Sequence, residues 1–214
     1  MEGGQDMDKV LTGKKVAVLV ETEYIASEIK YYKEYFTKHG AEVEFMTYLW
    51  GQKERTIVSD VTEPGQTAES MVVKKEIAGC DPDRYAIILT AANYVACRLR
   101  EIPPMGSLAD TGFLRSPSAV RFMASAMMNP NIVKGALCHA LWILTPVPEL
   151  LKGRKVICHT VVLADIYNAG GIYVPDESHV VVDNDLVTGR SAADIELYCD
   201  TLLATYRKTS GSRT

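Results

Sequence analysis

Short, wholly apolar runs alternate along this chain with stretches in which apolar residues recur every three or four positions. Lys15-Val-Ala-Val-Leu-Val20 has no polar face after its first residue, as a strand covered on both sides requires. Tyr24 to His39 puts Ile25, Ile29, Tyr32 and Phe36 near helical spacing, with Gly40 to end the helix. Glu42 to Tyr48 alternates and predicts a second strand. Such a β-α-β opening implies parallel strands joined by crossover helices. From Trp50 to Cys80 the pattern shifts to extended segments around Arg55–Ser59 and Met71–Lys74, with a turn at Pro64-Gly65. This stretch reads as an excursion from the sheet, not as a second domain.

Tyr85 to Leu89 restores a buried strand, and Arg98 to Pro117, punctuated by Pro and Gly, predicts a surface loop bordering a site. Ser116 or Ser118 starts a helix through Phe122 and Met127, and Ile132 to Leu137 comes next as another buried strand. Lys155–Cys158 predicts a strand, Val161–Asn168 a short helix, and Ile172–Val174, Val180–Val182 and Leu186–Thr188 further strands. Ser191 caps a last helix running to about Arg207. The pattern as a whole predicts a three-layer α/β/α sandwich of flavodoxin-like type around a mostly parallel sheet. It forms one domain over residues 14–207, with flexible ends at 1–13 and 208–214.

Composition narrows the function classes. A net charge of -4 and no basic patch argue against a nucleic-acid or anionic-membrane surface. No apolar run reaches membrane-spanning length, and the polar, acidic start lacks the form of a signal peptide. The five cysteines, at 80, 97, 138, 158 and 199, include no CxxC pair. A disulfide framework or zinc site is therefore not expected, and a reducing cytoplasm is the natural setting.

Chemistry concentrates where the strand Ile132–Leu137 runs into Cys138 and His139, followed by a pattern in which Leu141, Trp142, Leu144 and Val147 can face a core. A strand that turns sharply into a helix at a nucleophile is an elbow, built here with Cys in place of Ser. A sulfur at a helix N-terminus is favoured as thiolate. The competing reading makes Cys138 a small apolar residue ending a core strand. Cys199 shares an apolar stripe with Ile195 and Leu202, and Cys158 ends a strand, so both are expected in the core. Cys97 is a loop residue near the expected rim.

Ala136-Leu-Cys138-His139-Ala140, Leu150-Leu-Lys-Gly153, the Asn168-Ala-Gly170 step and Val181-Val-Asp-Asn-Asp-Leu-Val-Thr188-Gly-Arg190 occur in the order found in the DJ-1/PfpI superfamily. The chain resembles that group, which has the class I glutamine amidotransferase-like fold, over roughly residues 14 to 207. The resemblance implies that Cys138 is a nucleophile, that His139 is the adjacent histidine of the protease branch, and that Glu28 hydrogen-bonds the cysteine. His159 matches a histidine of the glyoxalase and deglycase branch. Ala92 and Asn93 fall where backbone N–H groups form an oxyanion hole. There Thr90-Ala91-Ala92-Asn93 replaces the usual Pro-Gly-Gly, and Ala140 replaces a glycine. Alanine disfavours the positive φ that glycine permits, so the hole is expected to be reshaped.

The resemblance further implies a cofactor-free enzyme without a metal, acting on small dicarbonyls, early glycation adducts or amides, peptides among them. It also implies a homodimer or larger ring, in which residues 50–80 are a candidate interface. Two rival functions accompany it: a stress protein whose Cys138 senses oxidants, and, more remotely, an isonitrile hydratase. Glu28 beside a thiolate should stay protonated, because like charges in one pocket raise each other's pKa. The bland readings are a Glu28 that favours the helix dipole, a His139 pointing away from the sulfur, and a His159 satisfied at a strand end. His39 and His179 carry no assignment.

Overall fold

The computed structural model describes residues 9–61, 64–100 and 117–211. The first unit is the anticipated β-α-β: β1 (Lys15–Leu19), α1 (Ala26–Lys38) and β2 (Glu42–Thr47). Of β1, only Lys15 is not fully enclosed, which accounts for its apolar run. A hairpin of β3 (Arg55–Val58) and β4 (Ser70–Val73) then leaves the sheet, and β5 (Lys75–Glu76) returns to pair with β2. Next come β6 (Ile87–Thr90), α2 (Val95–Leu99), α3 (Ser118–Met128) and β7 (Val133–Leu137). The predicted loop 98–117 begins as the end of α2, and its stretch 101–116 lies outside the described residues.

The remaining elements are β8 (Lys155–Val156), α4 (Leu163–Asn168), β9 (Ile172–Tyr173), β10 (Val180–Asp183), β11 (Leu186–Gly189) and α5 (Ile195–Gly211). α5 runs four residues beyond the predicted stop at Arg207, and Thr209 and Ser210 bond back to Thr205 and Tyr206. The leader is likewise tied down from Lys9 onward: Leu11 is fully buried and donates its N–H to the His39 carbonyl. A polar sequence around one buried leucine hid that anchor.

The main sheet has seven strands in the order β10-β11-β7-β6-β1-β2-β5. All pairings in it are parallel except β10 with β11, whose turn places Asn184 at φ 55°. β8 and β9 pair with each other outside it. The β1-to-β2 and β6-to-β7 crossovers step in opposite directions along the sheet. Right-handed crossovers therefore place α1 and α3 on opposite faces, giving three layers. α5 packs against α1, β7 and β11, so it completes the first layer. Its Tyr198 passes over Gly135 of β7, where a Cβ would sit 2.3 Å from the Tyr198 hydroxyl. Only glycine permits that approach.

Register brings the chemistry to one edge. Leu19 aligns with Thr90, and Thr90 with Ala136, so β1, β6 and β7 end side by side. Their exits lead to Glu28, to Ala92-Asn93 and to Cys138 respectively. The carboxyl edge of an open parallel sheet is where such folds place ligands.

Candidate functional site

Cys138 leaves β7 at φ 59°, in the left-handed region. For a residue with a Cβ that conformation costs roughly 1–2 kcal/mol. The strain is held by bonds on both sides: the Cys138 N–H donates to the Gly189 carbonyl at 2.8 Å, and the His159 N–H to the Cys138 carbonyl at 3.2 Å. This is the anticipated elbow. The segment beyond it does not form the anticipated helix. Ala140–Ile143 forms a short 3-10 turn, with i-to-i+3 bonds from His139 to Trp142 and from Leu141 to Leu144. Pro146 and Pro148 explain the brevity, since each lacks an N–H and disfavours a helical residue before it.

The short turn removes most of the dipole that was expected to ionise the sulfur. Burial, then the Glu28 carboxyl, push the Cys138 thiol up to about 11, against the lowering effect of the His139 and Asn93 N–H groups that donate to it. In the free protein the sulfur is therefore a thiol near neutral pH, not the expected thiolate. It is half-buried, not sealed into the core.

Glu28 does not serve its own helix. Its side chain is 1% exposed, and its two oxygens accept the Ala92 N–H at 3.0 and 3.1 Å. Burial raises its pKa to about 7, opposed by Tyr32 and the Ala92 N–H. Ala92 was expected to supply an oxyanion donor, but its N–H is engaged by Glu28. The donor aimed at the sulfur comes from the next residue. Asn93 sits at φ 60°, held by bonds from its Nδ2 to the Glu23 carbonyl and to Asp60 at 2.8 and 2.9 Å. Asn tolerates the left-handed region far better than Ala, so it supplies the kink that glycine gives elsewhere.

Both histidines lie at the elbow. The His139 and His159 rings meet edge to face at 4.9 Å between centroids. His139 is buried with no partner for its Nδ1, and burial, then His159, lower its pKa; the Asn93 backbone opposes this. It is thus a neutral imidazole at pH 7. His159 is exposed, and its Nδ1 accepts from the Val161 N–H at 3.3 Å. Tyr94 and Trp142 pack against His139 at 5.5 and 5.1 Å. Trp142 is only half-buried and donates its indole N–H to Asp165 at 2.7 Å.

The six residues singled out from sequence thus converge on one spot. Tyr94 and Trp142 were missed as neighbours of His139. Aromatics flanking the two loops that approach Cys138 were the available signal. Among the other thiols, Cys158 and Cys199 are fully buried and shifted upward, chiefly by burial. Cys97 is half-buried within α2, 3.9 Å from an Arg100 nitrogen.

Geometry of this kind defines an α/β sandwich with a cysteine elbow at the carboxyl edge of its sheet. The chain belongs to the DJ-1/PfpI family, whose model matches residues 105–205. Among curated proteins it is 31% identical over 183 residues to an uncharacterised protein of Staphylococcus aureus, covering 86% of this chain and 92% of that one. It is 27% identical over 186 residues to protein/nucleic acid deglycase 2 of Escherichia coli, covering 86% and 93%. Among solved structures, a two-domain protein of Anabaena variabilis with DJ-1/ThiJ/PfpI-like and ferritin-like domains matches with a TM-score of 0.72 at 21% identity. That match spans 89% of this chain and 47% of the longer one. Schizosaccharomyces pombe DJ-1 matches at 0.64 and 16% identity over 94% and 98% of the two chains. Among the described residues, no helix is long and apolar enough to cross a membrane.

Proposed function

We propose that this chain is a cysteine-dependent enzyme that acts on small carbonyl compounds or their early adducts with amines, through Cys138. The observation that carries the reading is the sulfur's setting: a half-buried thiol on a strained elbow, facing the N–H groups of Asn93 and His139, beside a buried carboxyl. A likeness to a relative named as a deglycase over nearly its whole length supports the substrate class.

The raised thiol sets the order of events. Neutral His139 accepts the proton of Cys138 as the sulfur attacks the carbonyl carbon, so the thiolate exists only during attack. The oxyanion that forms next to the sulfur is received by the Asn93 and His139 N–H groups, which are already directed at that point. From a dicarbonyl, His139 or His159 then carries the proton of the attacked carbon to the neighbouring carbonyl through an enediol, leaving a thioester. From an amine adduct it also protonates the departing amine, and water hydrolyses the thioester in either case. Glu28, whose pKa burial raises to about 7, stands beside the sulfur as a second buried acid and raises the thiol in turn. Amide or peptide hydrolysis takes the same attack and hydrolysis steps with a poorer leaving group. The oxidant-sensor reading has less support, because peroxide attacks a thiolate and burial keeps this sulfur protonated.

The five free cysteines fit a reducing cytoplasm. Assembly into a homodimer or larger ring belongs to the same reading, with the β3–β4 hairpin, where Val58 and Val72 are exposed, as its candidate face. The test is turnover of methylglyoxal, a methylglyoxal-modified amine and a peptide by the parent and by Cys138→Ala. The first two are expected to be consumed by the parent alone. Full turnover by Cys138→Ala, or no turnover of either carbonyl substrate by the parent, would overturn the reading.

A further inference from the structure

Two phenols lie in the apolar core beneath the elbow where phenylalanine would pack equally well. Tyr32 and Tyr198 are both 0% exposed, with ring centroids 6.4 Å apart. Neither hydroxyl completes a well-formed hydrogen bond. A buried hydroxyl left in that state costs stability, so its retention calls for a cause. Tyr32 stands four residues after Glu28 in α1, which stacks the two side chains on one helix face. Its hydroxyl reaches toward the carboxyl, whose oxygens already receive the Ala92 N–H. Tyr198 closes the far side, over the space that Gly135 leaves open.

We propose that Tyr32 is a positioning residue that stabilises Glu28 as a carboxylate during turnover. The idea rests on the enzymatic role proposed for Cys138. As the carbon–sulfur bond breaks, the departing sulfur takes the Glu28 proton and becomes a thiol again. The Tyr32 O–H then closes onto the carboxylate until the imidazolium or solvent restores the proton. The groups that face Glu28 divide cleanly. The Ala92 N–H, from the segment after β6, and Tyr32, on its own helix, favour the charged form. Cys138 on the elbow, and Tyr198 and Cys199 on α5, oppose it when they ionise. Tyr32 is thus a buried donor facing Glu28, and that contact is a reason for its hydroxyl to be retained in an apolar core.

The experiment tracks the Glu28 carboxyl by NMR in protein labelled with carboxyl-13C glutamate, the signal being assigned by its loss in Glu28→Gln. In Tyr32→Phe the titration midpoint is expected to rise by roughly half to one pH unit, since a donor to the charged form is gone. Tyr35→Phe, on the same helix but bonded to Asp200 at 2.5 Å, is expected to leave it in place. Tyr32→Phe should also lower kcat several-fold while KM stays constant. An unchanged or lowered midpoint overturns the proposal, as does a raised midpoint with unaltered kcat. Because the titration needs no substrate, its outcome stays separate from the fate of Cys138 as nucleophile: an active Cys138→Ala would sink the function and leave the midpoint shift intact.

Discussion

The two ends of β7 bury polar groups in opposite ways. At its start, Lys134 is fully enclosed, yet its ammonium bonds both Asp185 and the Asn129 carbonyl. Asp185 is shared with Arg154, which also holds Asp183 at 3.0 Å. Every charge there has a partner, and the network clamps the β10–β11 turn to the sheet. At the other end, four residues on, Cys138 and His139 stand with Glu28 in a group that lacks any cation among its described neighbours, and His139 Nδ1 has no partner. Both sites bear the desolvation cost of buried polarity. One offsets it locally with ion pairs, whereas the other leaves thiol, imidazole and carboxyl with shifted proton affinities. Satisfied polarity builds stability, and unsatisfied polarity is available for chemistry.

Substitutions at the two ends should therefore fail differently. The largest effect belongs to Cys138→Ser, expected to lower kcat/KM by roughly a thousandfold or more with little change in Tm, read by steady-state kinetics and calorimetry. Lys134→Met should do the reverse. Leaving Asp185 with only Arg154 is expected to cost about 3 kcal/mol in chemical denaturation, while the alkylation rate of Cys138 stays at the parent value. If Lys134→Met slows that alkylation, the two ends are not independent.

Glu28→Gln separates the ends by pH. The carboxyl titrates at about 7 in the folded chain against an ordinary 4.5. Below 4.5 it is protonated in both states. Between 4.5 and 7 only the folded form keeps the proton, and above 7 the folded form carries a buried carboxylate. The parent should therefore lose up to about 3 kcal/mol relative to the Gln variant as pH rises across that window, measured by urea unfolding at pH 4, 6 and 8. A parallel dependence in both proteins would refute the buried acid. The smallest effect concerns Asn93. Asn93→Ala should be less stable than Asn93→Gly by about 1 kcal/mol, because only glycine keeps φ 60° without strain. Equal Tm values for the pair would remove the backbone argument.

Much of this fold is legible in the residue pattern. Runs such as Val16–Leu19 and Ile87–Leu89 announce buried parallel strands, and Ser191 with Asp194 forms the expected cap of the last helix, as a full capping box. Periodicity misleads after Cys138, where apolar spacing suggests a helix that Pro146 and Pro148 cut to a single tight turn. The ionisation of Cys138 escapes the sequence for the same reason, since a dipole argument presupposes the helix. Local patterns also fail to show pairings across the sheet. Nothing near Ala92 in the chain reveals that its N–H meets Glu28, 64 residues away. Likewise, Lys134 looks like a break in an apolar strand until Asp185 is seen beside it.

Cys138 and Asn93 bend their backbones the same way, at φ 59° and φ 60°, on adjoining strand exits. An isolated peptide of either segment would relax out of that shape, because nothing in it holds the unfavourable angle. The pair can persist only after the neighbouring strands have zipped together, so during folding the nascent chain carries an ordinary, unaligned sulfhydryl. The alignment of this sulfhydryl with the N–H groups around it is thus a property of the assembled sheet and not of the local segment.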